Sequence, residues 1–425
     1  MDTPTYLVRG RRLAENAPEM QEALAELHGT SERPRCLCVR GGIDMYIAKL
    51  DHWVLKRMPG TGAAHHPSCK SFEPGYDESG LGELIGDAVI EVDHAPTEIH
   101  VNFALKKSRR AASLRAEASE PAEVKSARRK MSLRAVTHLL FDRAGFNRWS
   151  PAMEGKRSQA VIHKYLMEVA DNIMLKGVPL STILIVPEQF NEQRKFQIAE
   201  QRRQKLLPLL ADMGRHASGL AIVLGELKNV EESWYGKKIL LKHMGDLPLF
   251  IDEKSWKKIE STFHTAFLMK DAEPSSGFRM VLSALIYPRT ETAYCIQTAC
   301  LMATTANWIP VASAQEGQLL AQLTSEHRHF MKPLAYDSKH PTHFASALLL
   351  DAGSTHVPLH CISAFWDEKE KAAKAAQLRA TPGAWLWHSE GPMPALPKRI
   401  PRAYAGPRPT TRTAQTDTHQ QDVDH

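Results

Sequence analysis

The sequence predicts a multidomain chain of mixed α/β (α+β) class, on three observations. At 425 residues and 43% hydrophobic composition, it is long enough for two or three separate cores. Runs with helical apolar spacing alternate with short extended runs along most of its length. Between residues 106 and 130 the composition turns to Ala, Ser and charge with few aromatics, which reads as a flexible or marginally helical linker between domains.

The elements follow in order. Residues 16–28, NAPEMQEALAELH, combine a capping Asn, an early Pro and helical apolar spacing, which predicts an amphipathic helix. The runs MYIAKL and HWVLKRM turn around Leu50 and Asp51 as a β-hairpin, completing an N-terminal module over 1–105. After the basic linker 106–130, residues 131–190 give two amphipathic helices, SLRAVTHLLFDRAGFNRW and QAVIHKYLMEVADNIMLKG, then an extended STILIVP. This string is compatible with a winged-helix module, in which the second helix enters a major groove. Residues 191–305 run from a charged helix through the strands GLAIVLGEL, KILLKH and LPLFI to a helix at SWKKIESTFHTAF, a mixed α/β region. Residues 306–395 read α, β, β, β, α, β, and the polar, Pro-rich stretch 396–425 is expected to be a disordered tail.

Six cysteines are too few for a disulfide framework in a chain this long. Three of them crowd together. Cys36 and Cys38 share one turn or strand end, and after the hairpin GTGAAHHPSC returns His65, His66 and Cys69. Three thiolates and one imidazole complete a tetrahedral set for structural zinc, and paired ligands at each end of a hairpin let one ion clamp a small module. Only one histidine is needed, with three residues between His65 and Cys69 or two between His66 and Cys69, and the spacing leaves the choice open with a slight lean to His65. Cys295, Cys300 and Cys361 lie in apolar surroundings and read as small buried hydrophobes. MPGTG lacks the Lys and Ser or Thr that a phosphate loop requires after its second glycine.

The whole chain carries a formal charge of +6, yet Lys106 to Arg157 holds 14 Lys or Arg against five acids, a local excess of nine. Such a concentration is the footprint of a phosphate-contacting surface, with Arg109, Arg110, Arg128, Arg129 and Lys130 as its candidate nucleic-acid contacts, or else a solvated linker. No apolar run of membrane-spanning length and no secretory signal occurs, so the expectation is a cytoplasmic protein without membrane contact.

The α, β, β, β, α, β order from Trp308 to Trp387 resembles the core of the PD-(D/E)XK nuclease superfamily, a restriction-endonuclease-like arrangement whose acidic residues hold magnesium. The resemblance places the helix glutamate at Glu316, the strand aspartate at Ser346, and the glutamate and lysine of the next strand at His360 and Ile362. Only Glu316 keeps an acid, with Asp351 as a second, weaker candidate, so no catalytic residue is assigned and hydrolysis is expected to be lost. In an ordinary α/β domain His360 is instead a satisfied core histidine, Glu316 lies on a solvated face, and Lys369, Lys371 and Lys374 form a solvated helix face.

Through CLC, MYIAKL, LKRMPGTGAAHHPSC, FNRWSPAMEGKR, NWIPVASAQE, FMKPLAYD and WLW, roughly residues 30–390 resemble the bacterial domain of unknown function 1173 family. That resemblance implies carriage on mobile DNA such as integrative conjugative elements and plasmids. The functional expectation is a zinc-binding, DNA-associated accessory protein of a mobile genetic element. A metal-dependent nuclease using Glu316 and Asp351, and a protein-interaction scaffold without nucleic-acid affinity, are its alternatives.

Overall fold

A computed structural model of the protein describes residues 4–49, 52–92, 95–108, 128–211, 217–272, 277–364, 366–379 and 383–400. Arg109, Arg110 and most of the expected linker, like residues 401–425 of the expected tail, lie outside the described residues. The class is α+β, with helices α1 (Met20–Leu27), α2 (Leu133–Arg143), α3 (Gln159–Asp171), α4 (Leu180–Ile183), α5 (Lys195–Ala211), α6 (Glu253–Thr262), α7 (His264–Ala272), α8 (Ala314–Ser325) and α9 (Glu368–Arg379). No helix among the described residues is long and apolar enough to cross a membrane.

Chain contacts define two compact units, residues 4–56 and 57–400. In the first, five strands pair in the order Arg11–Ala14, Thr5–Val8, Arg35–Cys36, Ile43–Lys49, Trp53–Arg57, so the expected hairpin forms the end of a larger sheet. Helix α1 buries Met20, Leu24 and Leu27, the spacing that predicted it. Its N-cap is Glu19, with no side-chain cap, so the expected capping by Asn16 does not occur.

In the second unit, α2 and α3 form where their apolar spacing places them. Each is started by a serine whose hydroxyl accepts a backbone N–H of the first turn, Ser132 from Ala135 and Ser158 from Val161. STILIVP differs from expectation: residues 180–183 make the short α4 and only Leu184–Ile185 is extended. Strand Ile173–Leu175, after α3, pairs in parallel with Thr97–Ile99 and antiparallel with Val178–Pro179, so residues on both sides of the expected linker share one sheet. Lys106–Ser108, the start of that linker, pairs with Ala217–Gly219.

The region 191–305 holds a feature the sequence did not suggest, a small closed barrel. The long strand Ala221–Ser233 pairs through its first half with Arg279–Pro288 and through its second half with Gly236–Leu241, changing register between Leu227 and Asn229. Gly236–Leu241 continues to Leu249–Asp252, which lies parallel to Tyr294–Thr304, and that strand pairs back to Arg279–Pro288. Trp256, Tyr294, Ile251 and Leu282 are buried in its core.

The C-terminal elements appear in the expected succession: α8, strands Phe330–Met331, Ala347–Leu349 and Val357–Ile362, α9, and strand Trp385–His388. Ala347–Leu349 pairs antiparallel with both Phe330–Met331 and Val357–Ile362, and the last strand is parallel to Val357–Ile362. Arg148–Trp149 adds an unforeseen edge strand beside Phe330–Met331.

Candidate metal centre

The two arms of the cysteine cluster are shaped by glycines. Cys36 ends its strand opposite Tyr6 and Ile43, and the chain then turns through Cys38 to Gly41 and Gly42, both at positive φ (89° and 73°). A side chain at Gly42 would press within 3.1 Å of the Arg35 Cβ, so the turn behind the two thiols needs its glycine. On the other arm the 3-10 turn Gly62–Ala64 precedes His65, and a Cβ at Gly62 would lie 2.6 Å from that of Glu73. A second turn, closed by the Cys69 N–H on the His66 carbonyl at 2.8 Å, brings Cys69 back to His65.

Cys36, Cys38, His65 and Cys69 are all buried, and their ligand atoms lie within 4.8 Å of one another. Cys69 Sγ is 3.8 Å from His65 Nδ1 and accepts the Ser71 N–H at 3.4 Å. All three cysteines are free of disulfides. Three adjacent buried thiols and one imidazole form a donor set suited to a tetrahedral metal ion, because thiolate and imidazole together supply four soft or borderline ligands and leave no open position. The group can hold a metal ion. Of the two histidines between which spacing did not choose, His65 is the one in this group. His66 is turned away, its Nδ1 at 2.8 Å from Ser68 Oγ and accepting the Ser68 N–H at 3.2 Å.

The stretch after Cys69 is tied down by charges that no sequence motif announced. Glu73 pairs with Arg57 and, at 3.5 Å, with Arg143 of α2, whose guanidinium also bonds Glu91. Arg148 donates to the Phe72 carbonyl. Asp142 accepts the Tyr336 hydroxyl at 2.6 Å, and burial raises both groups above their ordinary pKa.

The protein belongs to a family. A family model described as "Protein of unknown function (DUF1173)" matches residues 6–390. The chain is a DUF1173 protein. No curated protein and no solved structure matches it.

The remaining candidates of this DUF1173 chain are dispersed. Glu316 sits in the first turn of α8, accepting the Ala312 N–H at 2.8 Å, and its other oxygen pairs with the buried Lys332 at 2.9 Å, so its face is not solvated. Asp351 is held by both Nε and Nη2 of the buried Arg328, by the His329 N–H and by Arg399. Ser346 Oγ accepts the Cys361 N–H at 3.1 Å. Lys374, expected on a solvated face, is 1% exposed, and its ammonium donates to the carbonyls of Thr342, His343 and Phe344. Among the basic candidates, Arg128, Arg129 and Lys130 are exposed. Arg129 is anchored, pairing with Glu83 at 3.0 Å and giving its N–H to Asp87 at 2.8 Å. Cys300 and Cys361 are buried as expected, their thiols pushed up by burial to about 11 and about 12.

Two histidines titrate far from their usual range. His138 of α2 accepts the Tyr336 N–H on Nδ1 at 2.9 Å, and burial followed by the charges of Arg134 and Lys332 lowers its pKa to about 3. Burial and then Lys374 bring His360 to about 3 as well. The unfolded imidazoles take up protons near 6.5 and the folded ones only near 3, so stability falls as pH falls through that window. The expected loss between pH 6.5 and 5.5 is roughly 2 kcal/mol for the pair. Urea midpoints at the two pH values check this, and His138→Gln should remove about half of the difference. A variant as pH-sensitive as the parent would show that His138 contributes nothing.

Proposed function

We propose that this chain is a zinc-stabilised, DNA-associated accessory protein of a mobile genetic element, with a nuclease-like C-terminal domain that lacks catalytic acids. The observation that carries the DNA reading is the local charge excess between Lys106 and Arg157. Within it Arg128 and Lys130 are exposed cations, available to displace counterions from a phosphate backbone. Zinc is the metal that best suits a closed set of three thiolates and one imidazole. The loss of hydrolysis is supported by the ion pairs of Glu316 and Asp351, which spend on Lys332, Arg328 and Arg399 the oxygens that magnesium would need. The mobile-element context rests on the family resemblance of the motifs.

Binding to short DNA is expected to weaken on the order of 10²–10³-fold between 50 and 200 mM salt if about five basic residues each neutralise a phosphate. Arg128→Ala combined with Lys130→Ala should lower the slope of log affinity against log salt by about two and act alike on all sequences. A salt titration of metal-analysed full-length protein, with and without magnesium, is the test. Salt-insensitive or absent binding would leave a protein scaffold, and magnesium-dependent cleavage would make the chain an enzyme.

A further inference from the structure

A cleft of about 860 Å³ opens within residues 57–400, between the segment 76–83 and the C-terminal sheet. Its size lies within the range of small-molecule sites and leaves ample room for one nucleoside. One wall is acidic, formed by Asp77, Glu78 and Glu83, and Glu78 pairs with His356 at 2.6 Å. The lining also holds rings: those of His340 and His343 stack in parallel at 5.0 Å, and Phe344 follows them in the chain. Lys374 holds the backbone of this segment through the carbonyls of residues 342–344. His360 lines the cleft, is only 3% exposed, and has no hydrogen-bond partner for Nδ1. A buried polar atom without a partner is costly, so it marks a place where a ligand's polar edge can bind.

The chemistry narrows the ligand. Burial keeps His360 neutral near pH 7, so it offers a neutral donor and acceptor and no charge to an anion. The carboxylates of the acidic wall can accept hydrogen bonds from amino and hydroxyl groups, while the stacked imidazoles offer a face to a planar ring. Arg129 bonds both the carboxylate and the carbonyl of the lining residue Glu83, and its sequence neighbours Arg128 and Lys130 are exposed.

We propose that the cleft receives a single nucleobase, packed against His340 and His343 with its polar edge towards His360. The base belongs to a single strand whose phosphates stay outside on Arg128 and Lys130. The strand part rests on the DNA-association reading above, and the same base chemistry could also be met by a free nucleoside. Stacking platforms of this kind favour strands with bases over bare backbone.

The test compares, on full-length protein, a short deoxyadenylate strand, an abasic sugar-phosphate strand of the same length, and free adenosine. The base-bearing strand should bind about ten-fold tighter than the abasic one. That ratio should fall towards one in His360→Leu and in His343→Ala, the latter an exposed position whose replacement leaves the core intact. Equal binding of both strands by the parent would overturn the cleft proposal and leave the DNA reading standing. Adenosine binding that depends on His343, with no strand bound, would keep the base site and overturn the strand. Binding of none of the three would overturn both.

Discussion

On the zinc reading proposed above, replacing Cys69 with alanine, or stripping the protein with a strong chelator, is expected to remove one equivalent of metal and unravel the segment around the four residues of the cluster. Structural zinc sites in small modules contribute on the order of 10–16 kcal/mol of apparent binding free energy, all of it coupled to folding. Losing one thiolate leaves two thiols and an imidazole, too few to close the tetrahedron. The N–H of Ser71 would also lose its acceptor. Metal analysis and hydrogen exchange over residues 35–75 should therefore change together. His65→Ala should behave like Cys69→Ala, whereas His66→Ala should keep its zinc, because His66 is engaged with Ser68 and stands outside the group. Zinc retained by the Cys69 variant, or lost equally from the His66 variant, would show the ligand set to be wrong.

Much of the cysteine–histidine cluster was legible because its information is local. Closely spaced cysteines, a glycine turn and a histidine pair are all read from residues 36–69. The choice between His65 and His66 was not legible, since both spacings are acceptable and the decision lies in a turn closed by backbone hydrogen bonds. Helices α2 and α3 could be read from their apolar period, and the succession of C-terminal elements could be read too. The barrel could not. Its closure depends on residues 221–226 choosing residues 281–286 as partners, a long-range pairing that period-two patterns do not encode. Two-residue strands such as Arg148–Trp149 are also too short to leave a pattern. The cleft was invisible for a similar reason: it joins residues 76–83 to residues 338–377, and His360 read as a satisfied core histidine.

Asp351→Asn is expected to cost about 3–5 kcal/mol, because it leaves the 4%-exposed guanidinium of Arg328 buried without a counter-charge. The geometry argues for a structural role. Arg328 meets Asp351 Oδ1 through Nη2 at 2.7 Å and through Nε at 3.1 Å, while Oδ2 takes the His329 N–H and Arg399. Burial works against the carboxylate's charge, but these hydrogen bonds and the two arginines outweigh it and hold Asp351 below the ordinary carboxylate range. With its folded pKa depressed, the contribution of Asp351 is present above the unfolded value near 3.9 and disappears as pH falls through the lower folded value. The asparagine variant should therefore show its deficit at neutral pH and approach the parent in strong acid. Pairing Asp351→Leu with Arg328→Met should recover much of the loss, since apolar replacement of both partners removes the uncompensated charge. A magnesium ligand would behave in the opposite way: its removal would relieve crowded charge, leave stability unchanged or raised, and abolish magnesium binding. Denaturation midpoints of the single and double variants, measured with and without magnesium, separate the two roles, and a single variant as stable as the parent would refute the structural one.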